Sequence, residues 1–355
     1  MISIFSLSID DLGNLLEKNG IKKFKSKQIF KWIYEKRINN FSKMTDLSKD
    51  NIEFLKNTFT FDDLKIKRKQ VATDGTVKFL FEINENEFVE SVLMKFNYGY
   101  SACISTQLGC NMGCKFCASG LLKKQRNLEV NEIVLQVIKI YDYLLKNHNE
   151  RLSNIVVMGT GEPFDNYDNV MKALSIINSP YGINIGARHI SISTCGLADK
   201  IKEFSDSHYQ YNLAISLHAA NDELRTKLMP VNNKYNLKKI IDSLFYYSKE
   251  NNRRITFEYI LLEGVNNSKK DAKDLSKLIK GLNAYINLIP YNEVKENTFK
   301  SVSDENALIF YDMLKKEGVN VTLRQKRGVN IDAACGQLRA KELKKWNIAV
   351  YPTKA

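Results

Sequence analysis

The sequence predicts an α/β protein: a partial (βα)6-type barrel, preceded by a small helical domain and a β-rich linker. Short apolar runs rich in β-branched residues alternate with longer segments whose apolar residues recur at the period of a helix. The short runs are almost continuously apolar, as strands are when a parallel sheet buries both of their faces. Alternation of this kind is typical of parallel βα units.

Residues 1–64 form the predicted helical domain. In "SKQIFKWIYEKRI", the apolar residues Ile29, Trp32, Ile33 and Tyr34 fall near one face of a helix. A solvated face in a lysine-rich protein and a surface for RNA phosphates explain the neighbouring charges equally well, so both interpretations stay open. The basic residues in question are Lys22, Lys23, Lys25, Lys27, Lys31, Lys36 and Arg37.

Residues 65–97 form the predicted β-rich linker. The stretch "IKRKQVATDGTVKFLFEINENEFVESVLMKF" alternates apolar and polar residues, and "TDGT" within it is a turn signal. We therefore expect a β-hairpin or a meander here.

Residues 98–341 form the predicted barrel core, and residues 342–355 are a short tail to which we assign no role. Six or seven βα units fit into the core. Helical periodicity fills most of the spacers between strands, and in such folds the chemistry collects at the carboxyl ends of the strands. The predicted strands are residues 102–106, 154–160, 189–194, 212–219, 255–262, 285–290 and 319–325.

Composition indicates a soluble protein with a polyanionic partner. The chain has 355 residues, a net charge of +13 and a sequence pI of about 9.2. This charge suits RNA or DNA, although a genome-wide base bias would also produce a lysine-rich chain. Asp10 and Asp11 interrupt the N-terminus where a signal peptide needs an apolar run, and no segment is apolar for the length of a membrane span. We therefore expect a cytoplasmic protein with no membrane partner and reduced cysteines.

The stretch "CISTQLGCNMGCKFCASG" contains four of the six cysteines. Cys110, Cys114 and Cys117 are spaced C-x3-C-x2-C, so their thiolates can converge on one soft metal centre. A structural zinc site needs four ligands and commonly pairs two such motifs, and the other three cysteines form no second C-x2-C. Three thiolates without an obvious fourth ligand suit a [4Fe–4S] cluster with one open iron, and structural zinc is the alternative.

This spacing, with Phe116 just before the last cysteine, resembles the radical S-adenosylmethionine (SAM) superfamily. The resemblance implies a [4Fe–4S] cluster whose open iron chelates SAM, and a 5′-deoxyadenosyl radical formed by reductive cleavage of SAM. The segment "MGTGEP", residues 158–163, resembles the "GGEP" segment that contacts the methionine end of SAM in that superfamily. Glu162 within it is suited to hold the ammonium group.

The longer motifs resemble the RlmN family of RNA methyltransferases. They are "CISTQLGCNMGCKFCASG", "NLxxxEIxxQV", "MGTGEPFDN", "ISLHA", "NLIPYN" and "GxxIDAACGQL", and the likeness runs from about Phe24 to Arg339. The family methylates carbon 2 of an adenine in 23S ribosomal RNA (adenine 2503) and in transfer RNA (adenine 37). The likeness implies the same two RNAs as partners here and an electron donor such as flavodoxin or ferredoxin, and we expect a monomer.

The resemblance also implies how a carbon without a lone pair is methylated. One SAM methylates Cys335, because a thiolate is a competent nucleophile. A second SAM supplies the radical that removes a hydrogen atom from this methyl group, and the carbon radical adds to C2 of the adenine. Cys103 then attacks the Cys335 sulfur, which releases the RNA and leaves a transient disulfide. Glu90, thirteen residues before Cys103, matches the family's proposed general base, and Cys103 itself is the alternative for removing the C2 proton.

The same resemblance assigns SAM binding to residues at the strand ends. Cys195 in "STCG" has no role in the family, and we interpret it as structural. The basic segment "RQKRG", Arg324–Gly328, is suited to hold the RNA backbone near Cys335. The implied SAM-binding residues are Gly161, Glu162, Ser193, Ser216, Leu217, His218 and Asn292.

Two alternatives remain. The related Cfr-type enzymes carry out the same chemistry at carbon 8 of adenine and give antibiotic resistance, and only small differences in "GEPF", "NLIPYN" and "RGVNID" favour carbon 2. A zinc-bound RNA-binding protein without catalysis is the alternative from another class. The chain departs from the family's common "MGMGEP" at Thr160, which is a conservative change in a turn.

Overall fold

The computed structural model describes residues 1–294, 297–325, 327–333 and 337–338 of the chain. None of the described helices is both long and apolar enough to cross a membrane. The α-helices are α1 (Ile9–Lys18), α2 (Lys25–Phe30), α3 (Lys49–Thr58), α4 (Val130–His148), α5 (Tyr167–Asn178), α6 (Ala198–Asp206), α7 (Asp222–Leu228), α8 (Leu237–Asn251), α9 (Lys269–Leu278) and α10 (Asp304–Lys316). The strands are β1 (Ile2–Ser3), β2 (Phe59–Thr60), β3 (Lys65–Val71), β4 (Val77–Asn84), β5 (Glu87–Phe96), β6 (Gly99–Cys103), β7 (Gln107–Leu108), β8 (Arg126–Asn127), β9 (Leu152–Val157), β10 (Ile190–Thr194), β11 (Asn212–Ser216), β12 (Ile255–Leu261), β13 (Ala284–Pro290) and β14 (Val321–Leu323).

One sheet holds most of these strands, in the order β14-β13-β12-β11-β10-β9-β6-β5-β4-β3. Strand β6 and strands β9 to β14 run parallel, and each overlaps one of the seven strands predicted from the sequence. Parallel neighbours in the sheet follow one another in the chain, with helices between them, as βα units require. The predicted α/β class with a parallel barrel-type core is confirmed.

Strands β3, β4 and β5 extend the same sheet as an antiparallel meander. The turn between β3 and β4 contains Gly75 at a φ of +80°, as "TDGT" predicts. Strand β5 pairs with β6, so the predicted boundary between residues 97 and 98 joins two hydrogen-bonded strands. The meander is confirmed, and the division of the chain into linker and core stays a prediction.

Strand β5 presents different residues to the two sides of the sheet, because successive side chains of a strand alternate. Val92 packs in a small apolar cluster with Cys103 and Ala333. Ser91 points the other way, and its hydroxyl donates to Gln136 of α4 at 2.7 Å. The side of the sheet opposite α4 is therefore the side that meets the described residues near the end of the chain.

The N-terminal helices pack onto the barrel core. A capping box of Ser8 and Asp11 begins α1, and Asp11 also forms an ion pair with Lys172 of α5 at 2.8 Å. Apolar residues of α1, α2 and α3 belong to the same continuous core as those of the barrel. Most lysines around the predicted apolar face are exposed, and the face itself has three buried members and one half-buried member, namely Ile29, Ile33, Tyr34 and Trp32.

Helix α4 covers the sheet where the parallel strands begin. A capping box of Glu129 and Glu132 fixes its start. Among its buried residues, Gln136 is fully buried and polar. The predicted apolar face is buried at Ile133, Val137, Ile140 and Leu144, and half-buried at Tyr141.

Gln136 clamps the chain just after β6. Its side-chain oxygen accepts from the Ser105 N–H at 3.0 Å and from the Ser91 hydroxyl at 2.7 Å. Its amide nitrogen donates to the Ser105 carbonyl at 3.1 Å. One helix side chain therefore satisfies both backbone groups of a residue that no strand pairs.

Gln136→Leu is expected to lower the free energy of unfolding by about 3 kcal/mol or more. Leucine fills a similar volume but leaves the backbone groups of Ser105 and the Ser91 hydroxyl without this partner in a dry interior, where each such loss costs about 1–3 kcal/mol. Equilibrium unfolding in urea measures the change. Gln125→Leu, at an exposed position, is the matched control and should shift by less than about 0.5 kcal/mol. A decrease in the free energy of unfolding for Gln136→Leu no larger than that for Gln125→Leu would contradict this role of Gln136.

Candidate active site

The carboxyl ends of strands β9 to β13 surround an open cavity of about 150 Å³. This is the edge of the sheet at which the sequence predicts the chemistry. The structure brings together side chains that lie far apart in the chain. The predicted site residues that line the cavity are Cys110, Cys114, Cys117, Gly161, Glu162, Ser193, Ser216 and His218.

The three cysteines lie on a loop that is closed at its base and supported from below. Strands β7 and β8 pair on either side of the loop. The Cys110 N–H donates to the Leu122 carbonyl at 2.9 Å, which holds the two arms of the loop together. The Lys115 N–H donates to the carbonyl of Leu228, the last residue of α7, at 2.9 Å. The loop is therefore fixed by its own ladder and by α7.

Burial favours the protonated thiol of Cys110 and of Cys114 when no cation is bound. It raises the pKa of the Cys110 thiol to about 12 and the pKa of Cys114 well above its usual value, and the neighbouring thiolates raise both pKa values further. A metal centre reverses this preference because it binds the thiolate form. Within the described ranges, no group of three or more His, Cys, Asp or Glu side chains is arranged to hold a metal ion. What the cavity offers is three soft sulfur donors on one loop.

The turn after β9, residues 158–163, lies directly against the chain after β6. The Gly159 N–H donates to the Ile104 carbonyl at 3.0 Å, and the Thr106 N–H donates to the Thr160 carbonyl at 2.9 Å. A Cβ at Gly159 would stand 2.7 Å from that Ile104 oxygen, and a Cβ at Gly161 would stand 2.8 Å from Thr106 Oγ1. Gly161 also has a φ of +111°. Glycine is needed at position 159 because one backbone approaches another, and at position 161 because of its φ and the nearby side chains of Thr106 and Gln107.

Polar groups face the cysteines from the next strands. The Glu162 carboxylate accepts from the Phe164 N–H at 3.0 Å and from the Cys195 N–H at 2.8 Å. Burial raises the pKa of this carboxyl, and its hydrogen bonds lower the pKa in part. The hydroxyls of Ser193 and Ser216 stand 3.2 Å apart at the ends of β10 and β11. A carboxylate beside two hydroxyls is suited to a ligand with an ammonium group and polar oxygens.

His218 contributes a neutral imidazole to the cavity. Its Nδ1 accepts from the Ile260 N–H at 3.1 Å, so the neutral ring carries its proton on Nε2. The ring packs edge-to-face against Phe116 of the cysteine loop, with centroids 4.8 Å apart. Burial lowers the pKa of His218 to about 3, and the nearby Arg225 charge contributes to this shift. The Nε2–H group is therefore a hydrogen-bond donor at neutral pH.

A second, smaller cavity of about 30 Å³ adjoins the first and contains Cys103. Asn292, a predicted SAM residue, lines this second cavity. Leu217, also predicted for SAM, is fully buried and lines neither of these two cavities. The residues that line both cavities are Met158, Ile289 and Arg324.

Cys335 lies outside the residues that the structure describes. Ala333 and Leu338, which are described, are buried and pack in one apolar cluster with Cys103. The Ser119 hydroxyl on the cysteine loop donates to the Leu338 carbonyl at 2.7 Å. Residues 333 and 338 therefore lie against Cys103, and residue 338 also bonds to the cysteine loop.

Glu90 is a buried residue of the sheet. The Lys78 ammonium stands 3.4 Å from its carboxylate, and Lys78 also donates to the Asp332 carbonyl at 3.3 Å. Glu90 is two residues from Val92, which pairs with Cys103 across the sheet. It therefore projects from the same side of the sheet as Cys103.

Three residues of the site are not predicted from the sequence. Glu258 on β12 lines the main cavity and accepts from Asn287 at 2.8 Å, and burial raises the pKa of its carboxyl. Cys195, which we interpreted as structural, lines the same cavity. Arg225 is fully buried behind it. A charged residue inside the apolar run "ITFEYILL" was a usable signal for Glu258, whereas nothing in "DELRTKL" distinguishes Arg225 from any exposed helix arginine.

Comparison with known proteins gives matches over almost the whole chain. The family described as "Radical SAM superfamily" matches residues 104–275, and the "Ribosomal RNA large subunit methyltransferase N-terminal domain" matches residues 2–60. A solved structure, a radical SAM methyltransferase from Sphaerobacter thermophilus, is 37% identical and superposes with a TM-score of 0.90, covering 96% of this chain and 100% of that chain.

Curated relatives are more similar still in sequence. The "Probable dual-specificity RNA methyltransferase RlmN" of Malacoplasma penetrans is 50% identical over 345 residues, which covers 97% of each chain. The protein of the same name from Spiroplasma citri is 52% identical over 341 residues, which covers 96% of this chain and 98% of the relative. Both alignments therefore include the two cavities and the N-terminal helices.

The buried neutral His218 should make the metal-free protein less stable in acid. Its pKa is about 3 in the folded chain against the usual 6.5, so the unfolded chain binds one more proton between these values. The stability that depends on this group is complete above about pH 6.5 and is lost as the pH falls toward 3. Between pH 6.5 and 5, the free energy of unfolding should fall by about 1.5 kcal/mol more in the wild type than in His218→Asn.

Asparagine is the matched control because it tolerates the φ of +61° at this position, keeps an acceptor for the Ile260 N–H and does not titrate. Urea unfolding at the two pH values measures the difference. Equal losses in the two proteins would contradict a neutral buried histidine.

Proposed function

The chain belongs to the RlmN family of dual-specificity RNA methyltransferases in the radical SAM superfamily, and we propose that it methylates carbon 2 of adenine 2503 in 23S ribosomal RNA and of adenine 37 in transfer RNA. The observation that carries this proposal is that two cavities adjoin. The three loop cysteines line one, Cys103 lines the other, and Met158 lines both. A reactive group formed in the first cavity has a short route to a methyl group held beside Cys103.

We assign Cys110, Cys114 and Cys117 as the ligands of a [4Fe–4S] cluster with one iron open to SAM. The donor set fits, because three soft thiols share one loop and one cavity. When bound, the cluster and SAM supply a 5′-deoxyadenosyl radical. The β7–β8 ladder closes the base of the loop that carries the donors, and the Phe116 ring packs against His218 at the cavity wall.

The polar wall opposite the loop would bind the methionine end of SAM. The Glu162 carboxylate is placed to accept from the ammonium group, and the hydroxyls of Ser193 and Ser216 and the Nε2–H of His218 are placed to donate to oxygens. Gly161 lets this turn lie close against Gln107 and Thr106 while its own backbone lines the cavity. Together these groups would fix the orientation of the bound SAM.

Asn292 and Leu217 lie outside the main cavity, and we propose a different contribution to SAM binding for each. Asn292 extends the SAM site toward Cys103, because it lines the second cavity. The Leu217 side chain lies in the core, so we assign its contribution to the backbone between Ser216 and His218.

We propose Cys335 as the methyl carrier and Cys103 as the thiol that releases the RNA. Cys335 follows Ala333 by two residues, and Ala333 packs in one cluster with Cys103. The Cys335 thiolate attacks the methyl carbon of one SAM and displaces S-adenosylhomocysteine, and this carbon later joins C2 of the adenine. The adduct first loses the C2 proton to a base and its unpaired electron to a one-electron acceptor such as the oxidised electron-transfer protein. Attack by the Cys103 thiolate on the Cys335 sulfur then forms an S–S bond and releases the carbon with its electron pair. That carbon takes up a proton to become the methyl group, and a thiol reductant reopens the disulfide.

Glu90 is the proposed acceptor of the proton that leaves C2. It projects from the same side of the sheet as Cys103, and the Lys78 ammonium 3.4 Å away holds its carboxylate in place. Lys78 is bonded in turn to the Asp332 carbonyl, so the proposed base is tied to the segment that leads to Cys335. The proton acceptor and the two thiols would then surround one adenine edge.

The rim of the second cavity is basic and aromatic, which suits a single-stranded RNA segment. Arg324 and Arg327 line the cavity, and the Arg327 guanidinium lies 4.6 Å from the centroid of the Phe96 ring. The exposed Tyr98 ring stacks on Phe96 at 4.9 Å. Lys326 lies outside the described residues.

We also propose RNA contacts for the exposed N-terminal lysines, a flavodoxin or ferredoxin as electron donor, and a cytoplasmic monomer.

Metal content and product identity test the proposal directly. Anaerobically purified protein should contain iron and sulfide. Incubation with SAM, a low-potential reductant and 23S ribosomal or transfer RNA, followed by digestion and mass spectrometry against standards, should give 2-methyladenosine. The product 8-methyladenosine would favour the Cfr-type reaction. A colourless protein with one zinc ion, held by the loop cysteines and Cys195, together with unmodified RNA, would overturn the proposal.

Cys103→Ala and Cys335→Ala should fail at different steps. Cys335→Ala should accept no methyl group from SAM, because the nucleophile is missing. Cys103→Ala should accept the methyl group and accumulate RNA covalently bound to the protein, because nothing attacks the Cys335 sulfur. Denaturing gels with labelled RNA and with SAM labelled in its methyl group distinguish the two. Full RNA methylation by either variant would contradict the assigned roles.

A further inference from the structure

Arg225 on α7 has the largest side chain among the fully buried residues. Its guanidinium donates to four backbone carbonyls and one side-chain amide, so its hydrogen-bonding capacity is well satisfied. The acceptors are Leu217 O at 3.1 Å, Asn232 Oδ1 at 2.7 Å, Tyr235 O at 3.3 Å, Cys195 O at 2.7 Å and Ser216 O at 3.3 Å.

These acceptors are all neutral, and they leave the charge of Arg225 without a counter-ion. In the part of the chain that the structure describes, no carboxylate forms an ion pair with this guanidinium within 4.0 Å. Burying an arginine costs several kcal/mol of solvation free energy, and buried charges are normally paired with an opposite charge or a metal site. A fully buried cation beside an active site therefore points to an anion that is bound there.

The surroundings of Arg225 identify where that anion lies. Cys195, whose carbonyl accepts from Arg225 at 2.7 Å, lines the cavity together with Cys114. The last residue of α7, Leu228, accepts from the Lys115 N–H of the cysteine loop at 2.9 Å. Helix α7 thus packs against the cysteine loop, and its one buried charged residue, Arg225, lies next to that loop.

The charge interactions of Arg225 also place the bound anion beside the cysteine loop. Burial lowers the pKa of Arg225, whereas the thiolate forms of Cys195 and Cys114 raise it, and the Asp222 carboxylate raises it less. The charge of Arg225 in turn lowers the pKa of Cys114 and of His218. The groups on which this charge acts surround the cavity of the loop cysteines.

We infer that Arg225 is the buried counter-charge of the iron–sulfur cluster and that it raises the reduction potential of that cluster. This inference rests on the cluster assigned under the proposed function. Three thiolates outweigh the positive charge of the cluster core, and one-electron reduction adds a further negative charge. A fixed cation nearby stabilises the reduced form more than the oxidised form, because Coulomb attraction grows with the charge. Arg225 is thus a positioning residue that acts through the cluster and touches no substrate.

A redox titration of the anaerobic, cluster-loaded full chain tests this role. In Arg225→Gln, the ratio of reduced to oxidised cluster should fall about tenfold at the wild-type midpoint potential, which is a shift of 59 mV for a one-electron couple. Arg225→Lys keeps the charge but not the guanidinium fork, and its ratio should stay within about threefold of the wild type. Arg253→Gln is the matched control, because Arg253 is a half-buried arginine that precedes β12 and bonds to Gln210 and Asn212. It should leave the ratio unchanged.

Two results would overturn the inference while leaving the proposed function intact. One is a cluster-loaded Arg225→Gln with the wild-type potential. The other is an Arg225→Lys shifted as far as Arg225→Gln, which would make the fork geometry and not the charge responsible. If Arg225→Gln yields no folded protein, Arg225→Lys alone carries the test. A wild-type chain that binds neither iron nor sulfide would instead overturn the proposed function, and this inference with it.

Discussion

The chemistry of this protein depends on one close approach between two pieces of backbone. The chain leaving β6 and the turn leaving β9 are joined by hydrogen bonds from Gly159 to Ile104 and from Thr106 to Thr160, without room for a Cβ at Gly159. Cys103 lies just before this junction and the cysteine loop just after it. The positions of the two reactive centres relative to each other are therefore set by main-chain contacts, which side-chain motion does not loosen.

The site has several ionisable groups in a dry interior, and each is stabilised differently. Glu162 accepts from two backbone N–H groups, and His218 gives up its charge. Arg225 keeps its charge and has its hydrogen bonds satisfied by neutral acceptors, which leaves an excess of positive charge behind the cysteine loop. An unliganded site of this kind is costly to fold. Binding an anionic cluster and a zwitterionic ligand would offset that cost.

The parts of this structure that could be predicted from the sequence are those with a local cause. The seven parallel strands are short apolar runs, and the cysteine loop is a short spacing, so each is visible within a few residues. Strands β5 and β6 form a local hairpin in which Phe96 pairs with Gly99, so the predicted boundary between residues 97 and 98 falls in its turn. The pairing that joins this meander to the parallel strands is that of β6 with β9, which is distant in the chain and leaves no local pattern. Resemblance supplied many of the polar residues that line the cavities. It did not supply Glu258 or Arg225, because their roles arise from burial, and it did not separate the cavity of Asn292 from that of the cysteines.

The central claim is that a radical formed in the first cavity reaches a methyl group on Cys335 in the second. It can be tested by first loading the protein with a deuterated methyl group from labelled SAM and then supplying unlabelled SAM, reductant and RNA. Mass spectrometry of the 5′-deoxyadenosine produced measures where its new hydrogen atom comes from. We predict one deuterium in each molecule of 5′-deoxyadenosine formed in the first turnover. Methylated RNA accompanied by 5′-deoxyadenosine free of deuterium would contradict the account.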